Sequence, residues 1–236
     1  MPEPALQFPF FRSGSCRMPN SFTPPFLIAL LLCALQADES AIAASTFALG
    51  IDHSCVLTEE GSVQCWGSNF DRQLGNGTDT SLPIPGPVLD LATVVGINSG
   101  AYHNCALLQD GGLRCWGSND AGQLGDGTTQ APLLPSIVDG ISDAIDVSAG
   151  QGHSCAALNT GVVRCWGANG SGQLGDGTQQ HSPTPVSVSG LSGAVAVSAG
   201  AYHSCALIAD GTVECWGENF LGQLGNGSFD PSLTPI

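Results

Sequence analysis

The chain has 236 residues, with 32 Gly, 15 Pro and 42% hydrophobic residues. It can bury a core, but it turns so often that many short strands are expected and long helices are not. Five cationic residues, all arginine, face 20 Asp+Glu for a formal charge of −15; with only Arg72, Arg114 and Arg164 beyond the amino-terminal segment, there is no basic face to neutralise phosphates, and nucleic acid is a poor partner.

Residues 1–43 read as a targeting segment. Arg12 and Arg17 precede the apolar run from Phe26 to Leu35, and small residues follow at Ala41, Ile42 and Ala43. This is the pattern of a cleaved signal peptide, and the run has roughly half the length a membrane-spanning helix needs. The expected product is secreted, on the cell surface or periplasmic, with no membrane span after signal removal. A start at Met18 would weaken the positive region, and Leu32 disfavours a lipid anchor at Cys33.

From residue 44 to 236 the sequence repeats with a period of fifty residues. The markers are His53, His103, His153 and His203, each followed by Cys two residues on, Cys-Trp-Gly twelve residues on, and then Gln-Leu-Gly and a turn such as Asn76-Gly77 or Asp126-Gly127. Periodicity within a unit predicts four strands, as in Ala194–Ser198, His203–Ile208, Thr212–Trp216 and Pro185–Val188. The second and third form a hairpin over a three-residue loop ending in Gly61, Gly111, Gly161 or Gly211. A quartet this small cannot cover its own faces, so neighbouring quartets must stack, and radial stacking of four-stranded sheets is a propeller; a solenoid is the structural alternative.

The expected fold is therefore an all-β propeller with blades at about 45–94, 95–144, 145–194 and 195–236. The fourth blade stops at Ile236 as its last strand begins, which is the expectation for an incomplete ring or a truncated chain. In the competing arrangement Ser45 to Leu49 supplies a closing strand.

Ten cysteines occur, two of them, Cys16 and Cys33, in the targeting segment. The other eight are Cys55 and Cys65, Cys105 and Cys115, Cys155 and Cys165, and Cys205 and Cys215. With the loop at 209–211, Cys205 faces Cys215 directly across the hairpin, close enough for a bridge, so four intrablade disulfides are predicted. Two other readings stay open: free buried thiols, which would go with a cytoplasmic protein, and a zinc site using His203, Cys205 and Cys215, although its spacing is unusual.

A catalytic group is normally singular, whereas a residue present in every blade usually serves the blade. The four His are expected to hydrogen-bond backbone at the strand entrance, and Trp66, Trp116, Trp166 and Trp216 to pack between blades. The Asn-Gly and Asp-Gly turns supply too few carboxylates for calcium. No catalytic set, cofactor site or metal site emerges, so the chain is read as no enzyme. Individuality lies in two sets of loops, one before each His and one after each Trp strand. Tyr102, Tyr202, Phe70 and Phe220 are their candidate partner-binding anchors.

The run Ser-Ala-Gly-x-x-His-Ser-Cys-Ala-Leu, then Gly-x-Val-x-Cys-Trp-Gly-x-Asn, then Gly-Gln-Leu-Gly-(Asn/Asp)-Gly resembles the regulator of chromosome condensation repeat over about residues 45 to 236. The resemblance implies a propeller, usually of seven blades. It also implies regulatory protein binding, either as a guanine-nucleotide exchange factor for a small GTPase or as an inhibitor of a secreted enzyme. An exported, acidic chain fits a secreted or cell-surface protein-binding scaffold better than the exchange factor.

Overall fold

The computed structural model describes residues 46–236; the targeting segment, with Cys16, Cys33 and the proposed cleavage region, lies outside the described residues. All regular structure among these residues is β. The first sheet contains β1 (Phe47–Leu49), β2 (His53–Leu57), β3 (Val63–Gly67) and β4 (Leu82–Pro87). The second contains β5 (Val94–Ser99), β6 (His103–Leu108), β7 (Leu113–Gly117) and β8 (Ser136–Ile137). In the third are β9 (Ala144–Ala149), β10 (His153–Leu158), β11 (Val163–Gly167) and β12 (Ser182–Ser187), and in the fourth β13 (Ala194–Ala199), β14 (His203–Ile208) and β15 (Val213–Gly217). Each sheet is an antiparallel meander in chain order. The fourth adds only a bridge from Gly217 to Ser232 and two backbone bonds between Cys215 and Ile236.

Phe47–Leu49 pairs with β2 inside the first sheet and does not join the fourth. The closing-strand arrangement is thereby corrected: this segment occupies the place that β5, β9 and β13 occupy in their own sheets. Those strands begin at Val94, Ala144 and Ala194, one residue ahead of the boundaries expected from the period.

The hairpin register follows from the loop. Ile208 N donates to Thr212 O at 2.8 Å, Gly211 takes a φ of +90°, and Cys205 therefore faces Cys215, as Cys55 faces Cys65, Cys105 faces Cys115 and Cys155 faces Cys165. The paired α-carbons lie 4.0–4.2 Å apart and all four pairs are disulfides. This leaves no thiolate for the zinc reading.

Three apolar layers join the four sheets. Each combines the disulfide and the Val or Leu at 63, 113 or 163 of one sheet with the Ala at 106, 156 or 206 of the next. Trp116, Trp166 and Trp216 complete the layers and are wholly buried. A sheet thus has a leading face, turned to the next sheet along the chain, and a trailing face, turned to the one before.

Candidate binding face

The recurring polar residues are used between sheets. Nε2 of His53 lies 2.8 Å from Asn104 Oδ1; His103 and His153 reach Ser154 Oγ and Ser204 Oγ at the same distance. Ser154 and Ser204 in turn donate to the carbonyls of Gln123 and Gln173, at 2.9 and 3.0 Å. A hydroxyl has one proton, so the imidazole must donate from Nε2 and keep a bare lone pair on Nδ1. Nδ1 of His53, His103 and His153 is buried without a hydrogen-bond partner. Protonating it would create an unmatched buried charge, and burial, reinforced by the neighbouring imidazoles, pushes His103 and His153 down to about 3. Burial likewise lowers His53.

His53, His103 and His153 therefore bond side chains of the next sheet rather than backbone, which corrects the expectation from sequence for these three. The reason is that stacking places the residue after one repeat's His, namely Asn104, Ser154 or Ser204, against the His of the repeat before. The tryptophans use the same carbonyls: Trp116, Trp166 and Trp216 donate from Nε1 to Gln73, Gln123 and Gln173 O at 2.9–3.0 Å. Each of these glutamine carbonyls accepts two bonds from the following sheet. Trp66, whose trailing face meets no sheet among the described residues, is only half-buried.

Two residue series escaped the reading of the sequence, although both lay inside the quoted motifs. Asn69, Asn119, Asn169 and Asn219 are buried and hold the loop after each Trp strand. Asn69 Oδ1 accepts from Leu74 N at 2.9 Å while its Nδ2 donates to Thr78 O and Thr80 O. The Gln73 side chain accepts from Asp71 N. The following turn is closed by Asn76 or Asp126, whose Oδ1 accepts from the Thr two residues on. These loops are therefore fixed by their own hydrogen bonds, and they present what varies.

What varies lies at one end of the sheets. Ser118 N donates to Tyr102 O and Glu218 N to Tyr202 O, which ties the loop before each His to the loop after each Trp strand. Phe70 and Phe220 are 85% and 68% exposed and Tyr202 is 40% exposed, whereas Tyr102 is half-buried. Leu221 and Phe229, not singled out from sequence, are also exposed, and the Phe229 ring lies beside Gly222. Ile51, Ala101, Gln151 and Ala201, from the turns before the histidines, converge on an open hollow of about 390 Å³.

A polar cleft of about 290 Å³ separates the first two sheets at this end, with Phe70, Asp71, Arg72 and Asp120 on its wall. Arg72 has a φ of +62°, where the other copies have glycine. At Gly122 a Cβ would sit 2.4 Å from Pro183 Cα, so no side chain fits there. Opposite Arg72 the second sheet has Leu133 in place of that proline and only the two-residue β8, and Arg72 Nη1 donates to Ala131 O. Among the described residues no group of three or more His, Cys, Asp or Glu side chains is placed to hold a metal.

No curated protein matches the sequence. Among solved structures, Prp20p from Saccharomyces cerevisiae, described with its binding to Gsp1p and histones, aligns with a TM-score of 0.72 and 26% identity over 80% of this chain and 49% of its own. The same yeast protein bound to Kap60 gives 0.70 and 25% over 80% and 47%. Human WBSCR16 gives 0.74 and 27% over 81% and 52%. The chain thus spans about half the length of these relatives. The regulator of chromosome condensation (RCC1) repeat matches at 60–107, 110–157 and 160–207, and a second pattern of the same repeat at 44–73, 94–123, 144–173 and 194–223; the chain belongs to the RCC1-repeat family of β-propeller proteins.

Proposed function

We propose that this chain acts outside the cell as a protein-binding propeller scaffold without catalysis of its own. The observation that carries this reading is the division of labour among its residues. Recurring His, Trp, Gln and Asn are used between sheets or within loops, and the non-repeating Phe70, Tyr202, Phe220 and Leu221 stand exposed at one end. Large apolar side chains held on rigid loops are the usual anchors of a protein interface. The four disulfides favour an oxidising compartment, and the acidic charge fits a partner with a basic or apolar contact surface.

The likeness to Prp20p favours a second reading, regulation of a small GTPase. Partner capture from extracellular fluid with the wild type and with Phe70→Ala/Phe220→Ala and Tyr102→Ala/Tyr202→Ala separates the two. The scaffold reading expects the confirmed partner's affinity to fall about tenfold or more with the fold intact. Unchanged affinity in both double variants would remove this face from the proposal. Accelerated nucleotide release from a small GTPase would replace the scaffold with the exchange factor, and loss of a captured enzyme's activity would make the scaffold an inhibitor.

A further inference from the structure

Three Asn-x-Ser/Thr triplets occur in the chain, Asn76-Gly77-Thr78, Asn169-Gly170-Ser171 and Asn226-Gly227-Ser228. In a secreted protein this triplet is the acceptor for an N-linked glycan. The fold treats the three differently. Asn169 is wholly buried; its Oδ1 accepts from Leu174 N at 2.9 Å, and its Nδ2 donates to Asp176 Oδ1 and Thr178 O at 3.2 and 3.1 Å. A sugar on that nitrogen would displace the loop it holds. Asn76 is half-buried and Asn226 exposed, and their turns use only the amide oxygen. Asn76 Oδ1 accepts from Thr78 N and Oγ1 at 3.1 and 2.8 Å, and Asn226 Oδ1 from Ser228 N at 3.0 Å. Neither Nδ2 makes a hydrogen bond among the described residues.

The second and third copies show that the turn has no use for that nitrogen. Asp126 and Asp176 stand in the same place, and their Oδ1 atoms accept from Thr128 N and Thr178 N at 3.0 and 2.9 Å. Stacking of sheets does not consume the nitrogen either. Beside Asn76 the second sheet is already seated, with Gly77 N donating to Leu133 O at 3.1 Å, and the same contact recurs from Gly127 to Pro183 and from Gly177 to Leu233. A sheet following the fourth would meet Gly227 in this way and leave Asn226 as Asn76 is left.

We propose that Asn76 and Asn226 carry N-linked glycans and that Asn169 carries none. The inference rests on the extracellular reading, since the sugar donor and its transferase are met in a secretory compartment. In the transfer, Nδ2 attacks the anomeric carbon of a diphosphate-linked oligosaccharide. The carbon–nitrogen bond forms, the bond from that carbon to the diphosphate oxygen breaks, the diphosphate leaves with the electron pair, and one Nδ2 proton passes to a base of the transferase. The modified amide keeps its carbonyl oxygen, so the bonds from residues 78 and 228 that close the turns survive. The loops concerned are those that expose Phe70 and Phe220. Each glycan therefore leaves from a loop that also holds an aromatic anchor, and it borders the face a partner reaches.

Expression of the full chain in a glycosylating eukaryotic host tests this, once with its own amino-terminal segment and once behind a host signal. Protein recovered from the secretory compartments and the medium is treated with peptide N-glycanase in heavy-oxygen water and mapped by mass. The heavy label marks a released glycan and separates it from spontaneous deamidation. Label is expected at positions 76 and 226, with Asn169 unmodified. Asn76→Asp and Asn226→Asp, which copy the residue found at 126 and 176, should each remove one glycan with unchanged circular dichroism. Thr78→Ala should remove the glycan from Asn76 while the asparagine stays. If both positions are labelled only behind the host signal, the extracellular reading fails and the site assignment stands. Entry behind the host signal with position 76 or 226 unlabelled overturns the proposal, as does a glycan on Asn169 of the folded protein.

Discussion

The third and fourth sheets carry the same residues in the same register, yet they live in different surroundings. In the third, His153, Cys155, Cys165, Val163 and Trp166 are all buried, because sheets cover both faces. In the fourth, Trp216 is equally buried on the trailing face, but His203 and Cys205 are half-buried and Val213 is exposed on the leading one. Burial here is conferred by the neighbour, not by the sheet's own sequence. Stability should then divide into a term for each sheet and a term for each junction, as in other stacked repeats.

The comparison can be broken most directly at the tryptophans. Trp166→Ala removes a buried indole from the junction of the second and third sheets and should cost about 3–5 kcal/mol in denaturant unfolding; Trp66→Ala, at a half-buried indole, should cost less than half of that. Equal losses would show that junctions do not set the energetics. Acid acts on the same junctions. His103 and His153 fall from 6.5 to about 3 in the folded chain, so the unfolded chain binds more protons between those values. Their stabilisation is complete above pH 6.5 and is lost as the pH falls toward 3, by roughly 1.4 kcal/mol per pH unit for each histidine. Unfolding free energy measured across this window should have a shallower slope in His153→Gln. A slope unchanged by that substitution would mean the buried imidazole is not what titrates. The smallest effect concerns order alone: limiting reductant followed by alkylation and mass mapping should open Cys205–Cys215 ahead of the other three bridges. Uniform opening would count against the exposed leading face.

Much of this was legible in the sequence because the repeat length, the strand alternation and the glycine of the hairpin loop are local. They fix which cysteines face each other, and Cys205 does pair with Cys215. The contacts between repeats were harder to see. The partner of His103 is Ser154, in the next copy, and nothing inside one copy distinguishes that hydroxyl from a solvent-facing one. Asn69 was visible as a recurring letter, but its role depends on a loop closing around it, with Leu74, Thr78 and Thr80 brought to a single side chain. The left-handed Arg72 is a case of two departures that make sense only together, since the shortened β8 across the cleft is what leaves room for it. The candidate face was half legible: the loops that vary are evident by comparing copies, while the added weight of Leu221 and Phe229 required knowing which apolar side chains remain uncovered.

The bonds between sheets also share a constant offset along the chain. Histidine reaches 51 residues ahead for its hydroxyl or amide partner, and the indole reaches 43 residues back to the glutamine carbonyl. A gene that gains or loses one whole fifty-residue module keeps every donor opposite an acceptor, whereas a shift of a few codons between two markers strands a histidine, an indole and a carbonyl at once. Such a protein is free to change its length in evolution only by complete units.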